Sequence, residues 1–135
     1  MTGRRIDANI ILRYLTKEPQ EQAERTARLF EAAGRGEEDL LVEEVVFAEV
    51  VWTLTSYYRM PRNRIASSLL EFLAEENIRA VDKEPLRLAL VIFSERNLDF
   101  ADALLAAKAL HSGDLVVYSF DRDLDRIPGV IRREP

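Results

Sequence analysis

Apolar positions along this chain recur with a helical period in most segments and gather into short runs in a few others. Ile10, Ile11, Tyr14 and Leu15 share one helical face. They follow directly on Asp7-Ala8-Asn9, residue types that cap helices. A second helix is predicted over 20–33, with Ala23, Ala27, Leu29 and Phe30 inward and Gly34-Arg35-Gly36 as its stop. Residues 39–43 have the length and apolarity of a buried strand. Positions 44–58 read as a helix that is apolar almost all round, which predicts burial on more than one side. Pro61 breaks the chain ahead of an amphipathic helix over 64–75, carried by Ile65, Leu69, Leu70 and Leu73. A strand at 78–81 precedes helices over 84–95 and 100–110, the second capped by Asp99. The clearest strand is 115–120, and a short one is expected at 130–131. Helices and strands alternating over short connections imply an α/β fold with a mostly parallel central sheet flanked by helices on both faces. Ligands of such sheets gather beyond the carboxyl ends of the strands, where Asp7 and Asp121 are expected to stand.

Composition narrows this picture. A chain of 135 residues, 47% hydrophobic and 32% charged, suits one globular domain spanning 1–135. No apolar run approaches the roughly 18 residues of a membrane span. The start of the chain lacks the apolar core and cleavage site of a secretory signal, so a cytoplasmic protein is expected. With no cysteine and a single histidine, His111, a zinc site is disfavoured and any metal must be held by oxygen. That chemistry suits Mg²⁺ or Mn²⁺, with Ca²⁺ as a non-catalytic competitor. A net charge of -5 argues against a general nucleic-acid coat, but not against a nuclease whose acids are concentrated at one metal site.

The residue that most changes the reading is Glu49, set in VVFAEVVWTL with no Lys or Arg within a helical turn. In a buried helix its carboxylate would cost several kcal/mol unless a cation compensated it. Other acids beside apolar segments are Asp7, Asp99, Asp102, Asp121 and Asp123. Taken singly, most have ordinary roles open to them. Asp7 suits a helix cap, Asp99 and Asp102 have near capping-box spacing, and Asp121 and Asp123 suit a turn.

In order and spacing, DANIILRYL from Asp7, VVFAEVVWTL around Glu49, LDFADALLAA over Asp99 and Asp102, and SFDRDLDRIPGV from Ser119 resemble the four acidic motifs of PIN-domain nucleases. They are similar in particular to the VapC-like toxins of bacterial and archaeal toxin-antitoxin pairs. The resemblance spans essentially the whole chain. It implies a metal-dependent endoribonuclease on a PIN fold, commonly a homodimer, held inactive by a cognate VapB-like antitoxin. Carried over, it makes Asp7, Glu49, Asp102 and Asp121 the catalytic, metal-binding quartet, with Asp99 and Asp123 as auxiliary acids. Asn9 and Ser119 fall where the family keeps a polar residue that orients the site. Ala8 and Ser119 depart from the usual Thr or Ser and Thr, and Leu124 stands where an aromatic is usual.

Phosphodiester hydrolysis needs an acidified water and compensation for charge on the phosphate oxygens, and carboxylates holding Mg²⁺ or Mn²⁺ meet both needs. Arg13 is a candidate contact for an RNA phosphate or an antitoxin carboxylate, and Tyr14 for stacking on RNA, while Trp52, Tyr57 and Tyr58 read as core or dimer interface. Two other classes were weighed against the nuclease. One is a catalytically weak PIN module that binds RNA or a protein as a regulator, which would not need Glu49. The other is an aspartyl phosphatase, which typically wants an acid where Asn9 stands.

Overall fold

The computed structural model describes residues 3–135, in two compact units: one running through Lys83 and one from Glu84 to Pro135. The first unit contains β1 (Arg4–Arg5), α1 (Ala8–Thr16), α2 (Gln20–Gly34), β2 (Leu40–Leu41), α3 (Glu44–Ser56), α4 (Arg62–Ala74) and β3 (Ile78–Arg79). Its strands pair in parallel in the order β1-β2-β3, with Arg4 opposite Leu40 and Leu40 opposite Ile78. Parallel neighbours need a crossover, and each of the two here is a helix pair. The ladder runs one residue past the strands, through Ile6 N–H to Leu41 O (3.1 Å) and Val42 N–H to Arg79 O (2.8 Å). Ile6, Leu40, Leu41, Val42 and Ile78 are all buried, as parallel strands covered by helices require.

The second unit contains α5 (Lys83–Arg96, beginning on the last residue of the first unit), α6 (Phe100–Ser112), β4 (Val116–Tyr118), a 3-10 turn (Arg122–Arg126) and β5 (Ile131–Arg133). β4 and β5 are parallel, Val116 opposite Ile131. Helix α6 ends at Gly113, whose φ of +82° carries the chain into the left-handed cap that closes on Ala109 O. No helix of the described residues is long and apolar enough to cross a membrane.

The α/β class and the parallel pairing are as the periodicity implies; three details differ. In α1 the buried residues are Ala8, Ile11 and Leu12, so the inward face is turned from the one centred on Ile10, Ile11, Tyr14 and Leu15. Tyr14 packs instead on the Phe30 ring of α2, centroids 4.3 Å apart. Helix α3 is not buried all round. Phe47, Val50, Val51 and Leu54 face the core, whereas Val45 and Trp52 are 75% and 67% exposed. The turn that Asp121 and Asp123 suit extends into a 3-10 helix over Arg122–Arg126, opened by Asp121 accepting from Asp123 N–H.

Candidate functional site

In the first unit Asp7 follows β1 and caps α1, its Oδ1 accepting from Ile10 N–H at 3.2 Å. The capping expectation is met, and the side chain remains exposed to solvent beyond the strand. Asp7 and Asn9 line a cavity of about 430 Å³ between α1 and α2, together with Arg13, Gln22 and Arg25. Arg13 Nε donates to Gln22 Oε1 at 2.8 Å, which fixes the guanidinium by a bond across the helix pair.

Glu49 requires a correction. It is exposed, on the same side of α3 as Val45 and Trp52, so its carboxylate is not a charge taken out of water. Apolar neighbours in sequence misled here because α3 places its core residues on one face and leaves other large apolar side chains in solvent. Burial therefore gives no ground for a cation at Glu49, and its assignment rests on the motif alone.

The second unit gathers the remaining acids. Asp99 caps α6, its Oδ1 accepting from Asp102 N–H at 2.8 Å, and so sets Asp102 in the first turn of the helix. Asp121 follows β4, where Ser119 Oγ accepts from Asp121 N–H at 2.9 Å and Asp121 Oδ1 accepts from Asp123 N–H at 2.9 Å. Asp123 is paired with Arg126 at 3.1 Å. Burial raises the pKa of Asp102 to about 6, and the neighbouring carboxylates of Asp99 and Asp121 push the same way. The three acids are therefore close enough to repel, and Asp102 takes up a proton at higher pH than an ordinary aspartate does.

Sequence reasoning missed Arg132. On β5 it is nearly buried, and its fork binds both carboxylate oxygens of Asp125, at 2.9 and 3.3 Å, while Nη1 donates to Ser119 O at 3.0 Å. Those bonds tie the 3-10 turn and the segment preceding Asp121 to the strand pair. Basic residues near a chain end carry no periodic signal that distinguishes such a tether from a solvated charge.

In neither unit do three or more Asp, Glu or His side chains converge in ligand geometry among the described residues. The donor chemistry nevertheless suits a hard cation. The oxygen-only set around Asp102 is crowded with like charge that a divalent ion would relieve.

Comparison with known proteins gives a consistent picture. A family model described as PIN domain matches residues 5–130. A protein of Aquifex aeolicus (strain VF5) named VapC ribonuclease is 30% identical over 122 residues, covering 90% of this chain and 90% of its own.

Proposed function

This chain belongs to the PIN domain family, and from that premise we propose that it is a divalent-metal-dependent endoribonuclease, the toxin of a toxin-antitoxin pair. The observation that carries the reading is the crowding of Asp102 by Asp99 and Asp121 where β4 and α6 present their ends. The relative's name adds ribonuclease activity as the specific expectation. The reading takes residues 1–135 as one PIN domain acting in the cytoplasm.

Asp7, Glu49, Asp102 and Asp121 are the proposed ligands of Mg²⁺ or Mn²⁺. When bound, the cation makes an attacking water more acidic and offsets charge on the phosphate oxygens. The chain's own groups do the rest. Asp7 and Asp99 are the helix caps, their carboxylates held by Ile10 N–H and Asp102 N–H, and Asp102 follows in the first turn of α6. One acid, Asp102 or Asp123, accepts the proton of the attacking water as its oxygen bonds to phosphorus and the P–O bond to the leaving oxygen breaks, the leaving oxygen taking a proton from solvent. Asp123, engaged by Arg126, positions the turn that carries Asp121. Ser119 orients Asp121 by accepting from its N–H, and Asn9 lines the cavity beside Asp7.

We extend the reading to partners. An acidic protein with carboxylates at its site suits a VapB-like antitoxin that presents Arg or Lys. A homodimer is part of the same proposal. Cleavage of structured RNA by purified protein tests the proposal. Cuts at discrete positions that need Mg²⁺ or Mn²⁺ and disappear in EDTA are expected, and RNA that stays intact in every condition would favour a PIN module that only binds.

A further inference from the structure

The loop that carries Asp121 is held from both ends by a single side chain. Just before Asp121, Arg132 Nη1 donates to the Ser119 carbonyl at 3.0 Å. Towards the end of the 3-10 turn, Nε and Nη2 donate to the two carboxylate oxygens of Asp125 at 2.9 and 3.3 Å. Nη1 is also paired with Glu134 Oε2 at 3.3 Å. The Arg132 side chain is only 12% exposed, whereas Asp125 and Glu134 are about half exposed. An ion pair between two exposed side chains contributes little, because water screens it and both ends move. A sheltered guanidinium differs, since its planar fork is already oriented towards its acceptors. Strand β5 supplies the shelter. Its ladder sets Arg132 opposite Val117, and Ser119 N–H closes on Arg133 O at 3.0 Å.

Between these anchors the loop aims the Asp121 carboxylate through its own bonds. Ser119 Oγ accepts from Asp121 N–H, and Asp121 Oδ1 accepts from Asp123 N–H, both at 2.9 Å. With Oδ1 tied to the backbone, the carboxylate points where the turn points. The turn stands where Arg132 holds it. We infer that Arg132 is a positioning residue for the metal site, its fork fixing the Asp121 carboxylate where a divalent cation takes it as a ligand. The inference rests on the nuclease reading and deepens it by naming what holds this ligand still. Groups that orient a ligand from behind set metal affinity, because a carboxylate free to swing must be ordered when the ion binds. Lys is no substitute here. It keeps the charge, but it has no planar fork to span the Ser119 carbonyl and both oxygens of Asp125.

The test is Mn²⁺ binding to the full chain without RNA, read from the electron paramagnetic resonance signal of the free ion. Wild type is compared with Arg132→Lys, Asp125→Asn and Arg133→Gln. Arg133 is an exposed neighbour on the same strand and controls for lost charge. Arg132→Lys is expected to raise the Kd for Mn²⁺ about tenfold or more. Asp125→Asn should give part of that loss, and the two substitutions combined should cost less than their sum on a logarithmic scale, since both break one contact. Arg133→Gln should leave the Kd unchanged. In RNA cleavage, Arg132→Lys should be slow at low Mn²⁺ and recover the wild-type rate at saturating Mn²⁺, a rescue that a merely structural defect does not give. Folded Arg132→Lys that binds Mn²⁺ as wild type does would overturn the inference, as would an equal loss in Arg133→Gln. Should Arg132→Lys fail to fold, Asp125→Asn decides, and an unchanged Kd there overturns the inference. Wild type that binds Mn²⁺ with this dependence on Arg132 but cuts no RNA would support the positioning role and count against the nuclease. Wild type that takes up no Mn²⁺ would overturn the metal site and the role of Arg132 together.

Discussion

Asp7 does two jobs that substitution can separate. As N-cap of α1 it satisfies Ile10 N–H, a role that Asn fills equally well and Ala does not. Asp7→Asn should therefore keep the stability of the metal-free protein within a few tenths of a kcal/mol, while Asp7→Ala loses about 1 kcal/mol in a urea melt. Both should abolish cleavage if the carboxylate is a metal ligand. Asp102 sets the pH dependence. Its pKa stands at about 6 in the fold against an ordinary 3.8, so the folded protein binds more protons than the unfolded chain between these values. The protonated acid favours the fold at low pH, and this contribution is lost as pH rises through about 6. Asp102→Asn should flatten that decline in the metal-free protein and leave it more stable than wild type at pH well above 6. Titrating Mg²⁺ into wild type near pH 6, in two buffers of different ionisation enthalpy, should show proton release that Asp102→Asn lacks. Equal apparent enthalpies in both buffers would contradict the coupling.

At the scale of elements, α3 shows where periodicity informs and where it fails. Its apolar residues outnumber what one face can bury, and sequence gives no sign which of them meet a neighbour. Leu54 is fully buried and Trp52 is two-thirds exposed, although both look like core. Leu54→Ala should cost about 2–5 kcal/mol in chemical denaturation, as cavity formation does. Trp52→Ala should change the stability of the monomer by less than about 0.5 kcal/mol. If Trp52→Ala destabilises as much as Leu54→Ala, and does so more at high protein concentration, α3 is covered by a second copy. Helix starts were legible because Asp7 and Asp99 are local signals, each read by a backbone N–H three residues on. The Arg132 tether was not, since it depends on partners that only the folded chain supplies. Arg132→Met should loosen the Asp121 turn, and faster amide exchange at Asp121 and Asp123 with little change at β1 would show it.

For the molecule as a whole, the ordered acids around Asp7, Glu49, Asp102 and Asp121 were readable as a family resemblance, and the family is that of PIN domains. The physical reason first given for Glu49, burial, was wrong, because exposure belongs to the fold and not to the neighbours in sequence. Metal should act on the whole fold. At a hundredfold excess over its dissociation constant, Mg²⁺ or Mn²⁺ is expected to add about 2.7 kcal/mol of stability, read as a rise in Tm that EDTA reverses. The central claim is tested most directly by incubating a structured-RNA pool with wild type, Asp7→Asn and Glu49→Gln, each with Mg²⁺, with Mn²⁺ and with EDTA. Discrete cuts by wild type in either metal, none in EDTA, and none by either variant while both remain folded are the predicted result. Cleavage that survives both substitutions, or wild type that cuts nothing in either metal, would contradict it.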